Sequence, residues 1–275
     1  MRYKFSLITK HTKANKLIQC VQNSIMELAI AFGSSITIKE TPFEDIENNF
    51  KEQDSALLLI GNKEDLKEVS DRLGLFAQIQ HYSGVANISL LKSERLAKGS
   101  VLYPISSSQA DFASFTGLVQ AQKNNSQKII SADNIKPILE KILFTPEEMG
   151  DIVCDYNTGL IIKTLATLIS GTQQLQFKIL MGNLGKLHFV PLADGAYNDN
   201  SISPYGLYFA VSDILNRFKL ERESMCLQTA NANVLKAGWR TEDCFLSSEE
   251  KLTSTEDICS LVDEQIQLAG ELMQR

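Results

Sequence analysis

The feature that most constrains this chain is an end-to-end alternation between strand-like and helix-like hydrophobic patterns. Residues 55–60 form a continuous apolar run, typical of a strand buried on both faces, and Gly61 and Asn62 end it. Residues 15–32 instead repeat apolar side chains at helical spacing. Strands and helices that alternate with short connections predict an α/β protein with a largely parallel sheet.

The same patterns give a full set of predicted elements. We predict strands at residues 1–8, 35–39, 55–60, 76–81, 101–105, 128–132, 151–154, 177–181 and 187–190. We predict helices at residues 15–32, 63–75, 111–123, 135–144, 160–170, 205–218, 221–237 and 255–273. Thr253 and Glu256 fit a capping box at the start of the last helix. No repeat, low-complexity tract or Pro/Gly-rich linker marks a domain boundary.

Composition and charge argue against several classes of partner. The chain has 27 basic and 33 acidic side chains, and its net charge of −6 disfavours nucleic-acid binding, which draws on clustered Lys and Arg. An apolar run of about 18 residues, as a membrane span requires, is missing, and residues 1–8 are too short for a signal peptide. The five cysteines are dispersed, as in reduced cytosolic proteins. We therefore expect a cytoplasmic protein.

Motifs of common active sites are missing. The first strand–helix turn, residues 9–15, has no glycine, so a Gly-rich phosphate-binding turn is not predicted. The three histidines lie far apart and no Gly-x-Ser-x-Gly motif is present, so neither a zinc site nor a hydrolase nucleophile is expected. Four carboxylates of the type that holds Mg²⁺ are interpreted as solvated groups near a turn: Glu147, Glu148, Asp151 and Asp155. We predict no metal site.

The final third of the chain carries a longer pattern. Residues 189–199 (FVPLADGAYND), Ser203-Pro204 and an apolar helix at 207–215 are followed by residues 230–243, which end in AGWRTED. This series resembles the isocitrate and isopropylmalate dehydrogenase family, as do, in the same order, residues 54–61, 73–80, 89–105 and 151–171. The resemblance covers nearly the whole chain, which is shorter than typical members.

The resemblance implies two α/β lobes with a discontinuous first lobe. Residues 1–88 and 186–275 would share the first lobe, which carries both termini, and residues 89–185 would form a reduced second lobe. It also implies a homodimer through the helix at residues 160–170, because the family's corresponding helix joins an intersubunit bundle. Lys163 is the only charge in that helix, and its apolar coverage is wider than one core-facing stripe requires. The alternative is a helix fully buried within one subunit.

The family's activity requires residues that this chain lacks. Its members oxidise a β-hydroxyacid by hydride transfer to NAD or NADP and then decarboxylate it, using a divalent metal and substrate-binding arginines. Aligned on Gly159, the family's two helix aspartates fall on Leu160 and Thr164. The substrate arginines fall on Gln80 and Ser70. No tyrosine stands where the family has its catalytic one.

The resemblance leaves one position open. Residues 128–134 (KIISADN) resemble the segment of the family's general-acid lysine, which would place Asn134 at that lysine. In that alignment Asp133 corresponds to the residue just before the family's lysine. In the alternative alignment Asp133 corresponds to the family's third metal-binding aspartate. At the nicotinamide-cofactor loop the family's His-Gly pair becomes Ala193-Asp194, which puts a carboxylate where a phosphate-rich ligand would approach.

Two hypotheses about function follow. We favour a non-catalytic descendant that binds a small ligand or a protein partner, with no cofactor and no metal, because the catalytic groups are lost together. The alternative is an enzyme with altered chemistry in the same cleft, such as an NAD(P)-dependent oxidoreductase that uses Mg²⁺. Its candidate residues are Asp133, Asn157 and Lys163 for catalysis and Asp194, Gly195 and Asn198 for cofactor binding. Convergence of such side chains on one pocket with perturbed pKa values would favour the alternative.

Overall fold

The computed structural model describes residues 3–50, 55–88, 93–122, 128–129, 135–144, 150–170, 176–192, 195, 197–245 and 248–274. Its strands are β1 (Tyr3–Thr9), β2 (Ile36–Glu40), β3 (Ser55–Gly61), β4 (Leu75–Ile88), β5 (Ser93–Pro104), β6 (Lys128–Ile129), β7 (Gly150–Val153), β8 (Phe177–Gly182), β9 (Lys186–Pro191), β10 (Trp239–Arg240) and β11 (Lys251–Leu252). Its α-helices are α1 (Asn15–Phe32), α2 (Ile46–Phe50), α3 (Lys63–Leu73), α4 (Gln109–Gln122), α5 (Ile135–Phe144), α6 (Tyr156–Ser170), α7 (Tyr205–Arg217), α8 (Glu221–Lys236) and α9 (Thr255–Gln274). Among these helices none combines the length and the hydrophobicity that crossing a bilayer requires.

Nine of the described strands form one sheet in the order β2-β1-β3-β9-β8-β4-β5-β7-β6. Five of the eight neighbouring pairs are parallel, so the predicted α/β class with a largely parallel sheet is confirmed. The three antiparallel pairs, β9–β8, β8–β4 and β4–β5, lie side by side in the middle of the sheet. Strands β4 and β5 are longer than predicted, because they continue as an antiparallel pair out to Ile88 and Ser93.

One face of the sheet carries a single continuous core. Phe5 of β1 and Tyr205 of α7 belong to this same apolar cluster. The Tyr205 hydroxyl donates to the Trp239 carbonyl at 2.7 Å, and Tyr208 Oη lies 2.7 Å from Ser24 Oγ, so both buried hydroxyls have partners. The division of the chain into two lobes stays a prediction.

The opposite face carries two apolar clusters instead of one. The first joins β3, β8 and β9 to α2 and α3. The second joins β5 and β7 to α5 and α6. The interruption between these clusters falls on the central antiparallel strands, and it is where the polar side chains of this face collect.

Helices α1 and α9 pack against each other along a regular stripe. The stripe includes four pairs whose members advance together along the two helices, by one turn or two turns at each step: Lys16 with Glu256, Cys20 with Cys259, Glu27 with Gln267, and Ala31 with Gly270. A Cβ on Gly270 would lie 2.9 Å from Ala31 Cβ, so the glycine permits this close approach. Because both members of each pair advance together, the two helices run parallel.

The start of α9 differs from the predicted capping box by one residue. Ser254 Oγ accepts from the Asp257 N–H at 3.1 Å, and Asp257 Oδ2 accepts from the Ser254 N–H at 3.4 Å. The reciprocal pair is therefore Ser254 and Asp257, and the prediction of Thr253 with Glu256 was wrong. The Glu256 carboxylate pairs with Lys16 across the helix interface instead, at 2.8 Å.

Candidate functional site

A polar strip separates the two apolar clusters of the second face. One cross-strand row reads, from β3 to β7, Leu59, Phe189, Lys178, Gln80, Val101 and Ile152. Residues directly opposite each other on neighbouring strands project to the same face. Lys178 and Gln80 therefore stand side by side, with apolar residues beyond them in both directions.

Three lysine side chains lie near enough to this strip to influence one another's charge, and we call them the lysine cluster: Lys63, the first residue of α3; Lys163 in α6; and Lys178 in β8. Lys163 and Lys178 lie close enough to affect each other's protonation, and Lys63 lies close enough for its charge to act on both. The Lys178 ammonium nitrogen lies 5.9 Å from the centroid of the Phe189 ring. Within the described part of the chain, no carboxylate contributes to the electrostatic environment of Lys163 or Lys178.

The proximity of these amines changes their protonation. Burial, followed by the positive charges of Lys163 and Lys63, lowers the pKa of Lys178 to about 7. Burial also lowers the pKa of Lys163, and the charge of Lys63 acts in the same direction. The direct interaction between the two side chains opposes this change at Lys163 and adds to it at Lys178. Of Lys163 and Lys178, Lys178 is therefore the one whose pKa is lowered further.

Two buried polar atoms of the same face have no hydrogen-bond partner among the described residues, Gln80 Oε1 and Tyr103 Oη. Gln80 uses its Nε2 to donate to Gln176 Oε1 at 3.2 Å and to the Phe177 carbonyl at 3.1 Å. Gln80 occupies the position that the sequence resemblance assigns to a substrate arginine. Because glutamine is neutral, the positive charge at this point of the sheet comes from Lys178 on the neighbouring strand.

Of the predicted catalytic residues, the described structure brings only Lys163 into the cluster. Helix α6 begins at Tyr156, one turn earlier than predicted, because Asp155 accepts from the Thr158 N–H at 3.0 Å and from its hydroxyl at 2.6 Å. Burial alone would raise the pKa of Asp155, but these hydrogen bonds hold it below its ordinary value. Asn157 is exposed in the first turn, about 9 Å of helical rise from Lys163.

The positions that align with the family's metal ligands do not fit a divalent cation. Leu160 and Thr164 both lie on the exposed side of α6, and Thr164 Oγ1 donates to the Leu160 carbonyl at 2.8 Å. A leucine offers no oxygen ligand, and the neighbouring lysine cluster repels a cation. Within the described residues, no group of three His, Cys, Asp or Glu is placed to hold a metal ion.

The predicted cofactor-binding residues follow β9. Gly195 is exposed and has a φ of 141°, which favours glycine, and Asn198 is also exposed. Asn198 Oδ1 accepts from the Asn200 N–H at 2.9 Å, so its side chain closes a local turn. In the turn that follows β1, His11 Nε2 lies 2.5 Å from Asp65 Oδ2, and this contact links the turn to α3. Several predicted residues lie outside the described residues: Asp133, Asn134, Glu147, Glu148, Ala193 and Asp194.

Sequence reasoning missed Lys63 and Lys178. A lysine inside the apolar strand FKILMG is itself a signal, because a charge at a core-facing position needs an explanation. The sequence does not reveal which residues lie near Lys178, because Lys63, Lys163 and Lys178 lie on three elements that only the strand order brings together. The resemblance did mark the right strand, because Gln80 on β4 is the direct neighbour of Lys178.

Comparison with known proteins gives no match to a family model and no significant match to a curated protein. Solved structures do match. An isocitrate dehydrogenase from Methylococcus capsulatus is 9% identical with a TM-score of 0.61, covering 96% of this chain and 99% of that chain. A β-decarboxylating dehydrogenase from Thermococcus kodakarensis is 12% identical with a TM-score of 0.68, covering 96% of each chain.

A third similar structure has a different setting. It is a chain in the cryo-EM structure of the peripheral stalk of the Euglena gracilis mitochondrial ATP synthase, 13% identical with a TM-score of 0.62. The match covers 96% of this chain and 99% of that chain. At such low identities the three likenesses establish the fold and leave activity open. The chain thus has the isocitrate/isopropylmalate dehydrogenase fold, and the resemblance found in the sequence is confirmed at the level of the fold.

Proposed function

We propose that this protein is a pseudoenzyme of the dehydrogenase fold that binds a small anion, a carboxylate or a phosphate, at the lysine cluster. The observation that carries the proposal is the convergence of Lys63, Lys163 and Lys178 at positions where the described residues supply no carboxylate. Like charges held together are unfavourable, and a bound anion relieves that repulsion while accepting hydrogen bonds from each amine.

We also propose a cytoplasmic location, since the five cysteines are free thiols, as expected in a reducing compartment.

The lysine cluster does not suit the metal-dependent oxidation that the family carries out, because its positive charges repel a divalent cation. Metal-dependent oxidation needs a divalent cation beside the substrate hydroxyl, whereas Leu160 and Thr164 offer that cation no carboxylate. We therefore propose that the protein lacks metal-dependent dehydrogenase activity. The alternative, an NAD(P)-dependent oxidoreductase, would have to place its cofactor and its acid–base groups around the lysine cluster.

The proposal predicts anion binding without cofactor reduction. Inorganic phosphate, succinate and citrate are titrated into the whole protein by calorimetry, and at least one of the three is expected to bind. Lys163→Met should weaken that binding by about tenfold or more, the value of one charge-assisted hydrogen bond. Lys67→Met is the matched control, because Lys67 is an exposed lysine on α3 one turn after Lys63.

The dehydrogenase alternative is tested with the same protein. Malate, isocitrate and isopropylmalate are supplied with Mg²⁺ and NAD⁺ or NADP⁺, and no absorbance of the reduced nicotinamide is expected. Steady reduction that requires the metal would contradict the pseudoenzyme proposal. Equal anion affinity in wild type and Lys163→Met would contradict the anion site.

We also propose a homodimer through α6. Leu160 is 36% exposed and Ile161 is 47% exposed, while Ile162 on the other side of the helix is fully buried in the core. An apolar face on the outside of a helix whose inside already packs needs another surface to cover it. A two-fold contact would set this face against its own copy.

The dimer predicts that Ile161→Glu yields folded monomers, because a carboxylate in the contact would lose its hydration. Light scattering at micromolar concentration gives the mass, and circular dichroism confirms folding. Ile30→Glu is the control, because Ile30 is 75% exposed on α1 and lies on a different element. A wild-type protein that is monomeric would overturn the homodimer.

A second candidate function is that of a non-catalytic subunit in a larger assembly. The specific observation is the match over 96% of this chain to a chain of an ATP synthase peripheral stalk, since that protein places this fold inside a multisubunit complex. If the wild-type protein is monomeric, the apolar face of α6 stays exposed, and this result would favour a different subunit as the partner that packs on that face. A wild-type homodimer that Ile161→Glu dissociates would favour the first proposal.

A further inference from the structure

We infer that the anion bound at the lysine cluster is a phosphate group that carries a proton, as in hydrogen phosphate or a singly protonated phosphate ester. The inference rests on the proposed anion site and names the class of anion that the site selects. The observation that carries it is the side-chain oxygen of Gln80, a buried acceptor that has no hydrogen-bond donor among the described residues. A fully ionised oxyanion such as sulfate has no proton to offer this acceptor.

The orientation of the Gln80 amide is fixed by its neighbours. The Phe177 carbonyl, which can only accept, lies 3.1 Å from Gln80 Nε2, and Gln176 Oε1 lies 3.2 Å from the same nitrogen. Turning the amide over would set its oxygen against the carbonyl oxygen, and two acceptors repel each other. The two N–H groups of the amide are therefore used, and Oε1 is the atom left without a partner.

The sheet register places this acceptor beside the lysine cluster. Gln80 stands directly opposite Lys178 on the neighbouring strand, so the two side chains project to the same face with their Cβ atoms about 5 Å apart. On its other side Gln80 is opposite Val101, whose apolar side chain offers no donor. A buried acceptor without a donor is unfavourable, so we expect a ligand of the lysine cluster to supply one.

The packing of α6 brings Lys163 to the same part of the sheet. Gly159 rests on Tyr103, since a Cβ on the glycine would lie 2.3 Å from Tyr103 Cγ. Lys163 follows Gly159 by one helical turn, a rise of about 6 Å. Val101 precedes Tyr103 by two strand residues, about 7 Å, and this next turn of α6 shares an apolar cluster with Val101. Lys163 therefore lies over the cross-strand row that contains Gln80.

Donors and an acceptor at one point define the anion. The ammonium groups donate to bare oxygens, whereas Gln80 Oε1 accepts from an O–H group. Hydrogen phosphate has both kinds of oxygen at neutral pH. Sulfate has nearly the same shape and charge but no O–H, so its oxygen would meet Oε1 as a second acceptor. A site built to hydrogen-bond a ligand proton rejects the analogue that lacks it, because the buried polar group is left unpaired.

Access to Oε1 requires a side chain to move, because Gln80 is 1% exposed. Lys163 can make this movement, since it is partly exposed and has a flexible four-carbon stem. Side-chain rotations of this kind are common when a ligand binds. The hydrogen bond that Oε1 gains offsets the cost of the rotation.

The experiment compares phosphate with sulfate on the whole protein, by calorimetry at pH 7 and equal ionic strength. We expect phosphate to bind about tenfold more tightly or better, the value of one hydrogen bond to a charged group. Methyl phosphate extends the comparison to esters, whose second pKa is about 6. Its affinity relative to sulfate should be high at pH 5.5, where it carries a proton, and near equality at pH 8. If methyl phosphate fails to bind at pH 5.5 while phosphate binds, the ligand is free phosphate.

Two variants assign the preference to one oxygen. Gln80→Met removes the acceptor at similar side-chain volume, so phosphate and sulfate should then bind with about equal affinity. Gln78→Met is the matched control, because Gln78 is also buried, lies two residues earlier on the same strand, and donates to the Pro104 carbonyl at 3.5 Å. The control should keep the phosphate preference. The ratio of two affinities does not change when a variant merely weakens the site as a whole.

The outcomes separate this inference from the anion site. Sulfate that binds the wild type as tightly as phosphate would overturn the inference, and so would a phosphate preference that survives in Gln80→Met. If succinate or citrate binds while phosphate does not, the inference fails and the anion site stands. If none of these anions binds, both proposals fail together.

Discussion

Gly159→Ala should lower the free energy of unfolding by about 3 kcal/mol or more, at the upper end of overpacking effects. A Cβ at this position would lie 2.3 Å from Tyr103 Cγ and 2.7 Å from Tyr103 Cβ. Rotation about χ1 would leave the Tyr103 Cβ contact in place, and the ring has no room to turn away because this side chain is fully buried. The helix itself would have to move away from the sheet, which opens the second cluster around Ile162.

Urea unfolding followed by circular dichroism measures this loss. Gly117→Ala is the matched control, because Gly117 also lies within a helix, α4, and a Cβ there would meet nothing within 4 Å. Alanine favours the helix over glycine, so the control should be neutral or up to about 1 kcal/mol more stable. A Gly159→Ala protein as stable as wild type would mean that α6 does not sit this close to β5.

Lys178→Met should stabilise the protein at neutral and acidic pH by up to about 5 kcal/mol, since each unit of pKa shift corresponds to about 1.4 kcal/mol. The folded chain holds Lys178 at a pKa of about 7, below the ordinary value of 10.5. Between these values the unfolded chain binds a proton that the folded chain does not, so wild-type stability rises as the pH increases from about 7 toward 10.5. Below pH 7 both states are protonated, and the folded state bears the full cost of the buried charge.

The measurement is a series of urea unfolding curves from pH 6 to pH 10 in a buffer without polyanions. Methionine fills nearly the same volume without a charge, so the Lys178→Met curve should lie above wild type at pH 6 and converge with it near pH 10. Lys67→Met should follow wild type at every pH. A Lys178→Met protein that is less stable than wild type at pH 6 would contradict the buried-charge account.

Local pattern was enough to predict most helices and strands. The bounds of α1 are those predicted from its apolar repeat. The start of α6 was missed by one turn, because Asp155 and Thr158 form a cap that the apolar run at 160 does not reveal. Hydrophobic spacing reports which face is buried, whereas the ends of a helix depend on a few polar contacts.

The candidate site depended on long-range geometry. The resemblance identified the losses at Leu160, Thr164 and Gln80, but a loss does not say which residues replace it. Lys178 and Gln80 are paired only because β8 and β4 are neighbours in the sheet, and strand order is not written in any local pattern. The antiparallel centre of the sheet was missed for the same reason, since periodicity does not distinguish parallel from antiparallel pairing.

The parallel pairing of α1 and α9 has a consequence for synthesis on the ribosome. Residues 15–32 emerge early, yet the helix that covers one side of them spans residues 255–274. The apolar side chains that α1 will bury against α9, and the close approach at Ala31, must therefore wait for almost the whole chain. Contacts of such large sequence separation slow folding and prolong the exposure of apolar surface. We expect nascent chains that end before α9 to bind chaperones and to resist proteases poorly, and release of the last helix to convert them to the protected state.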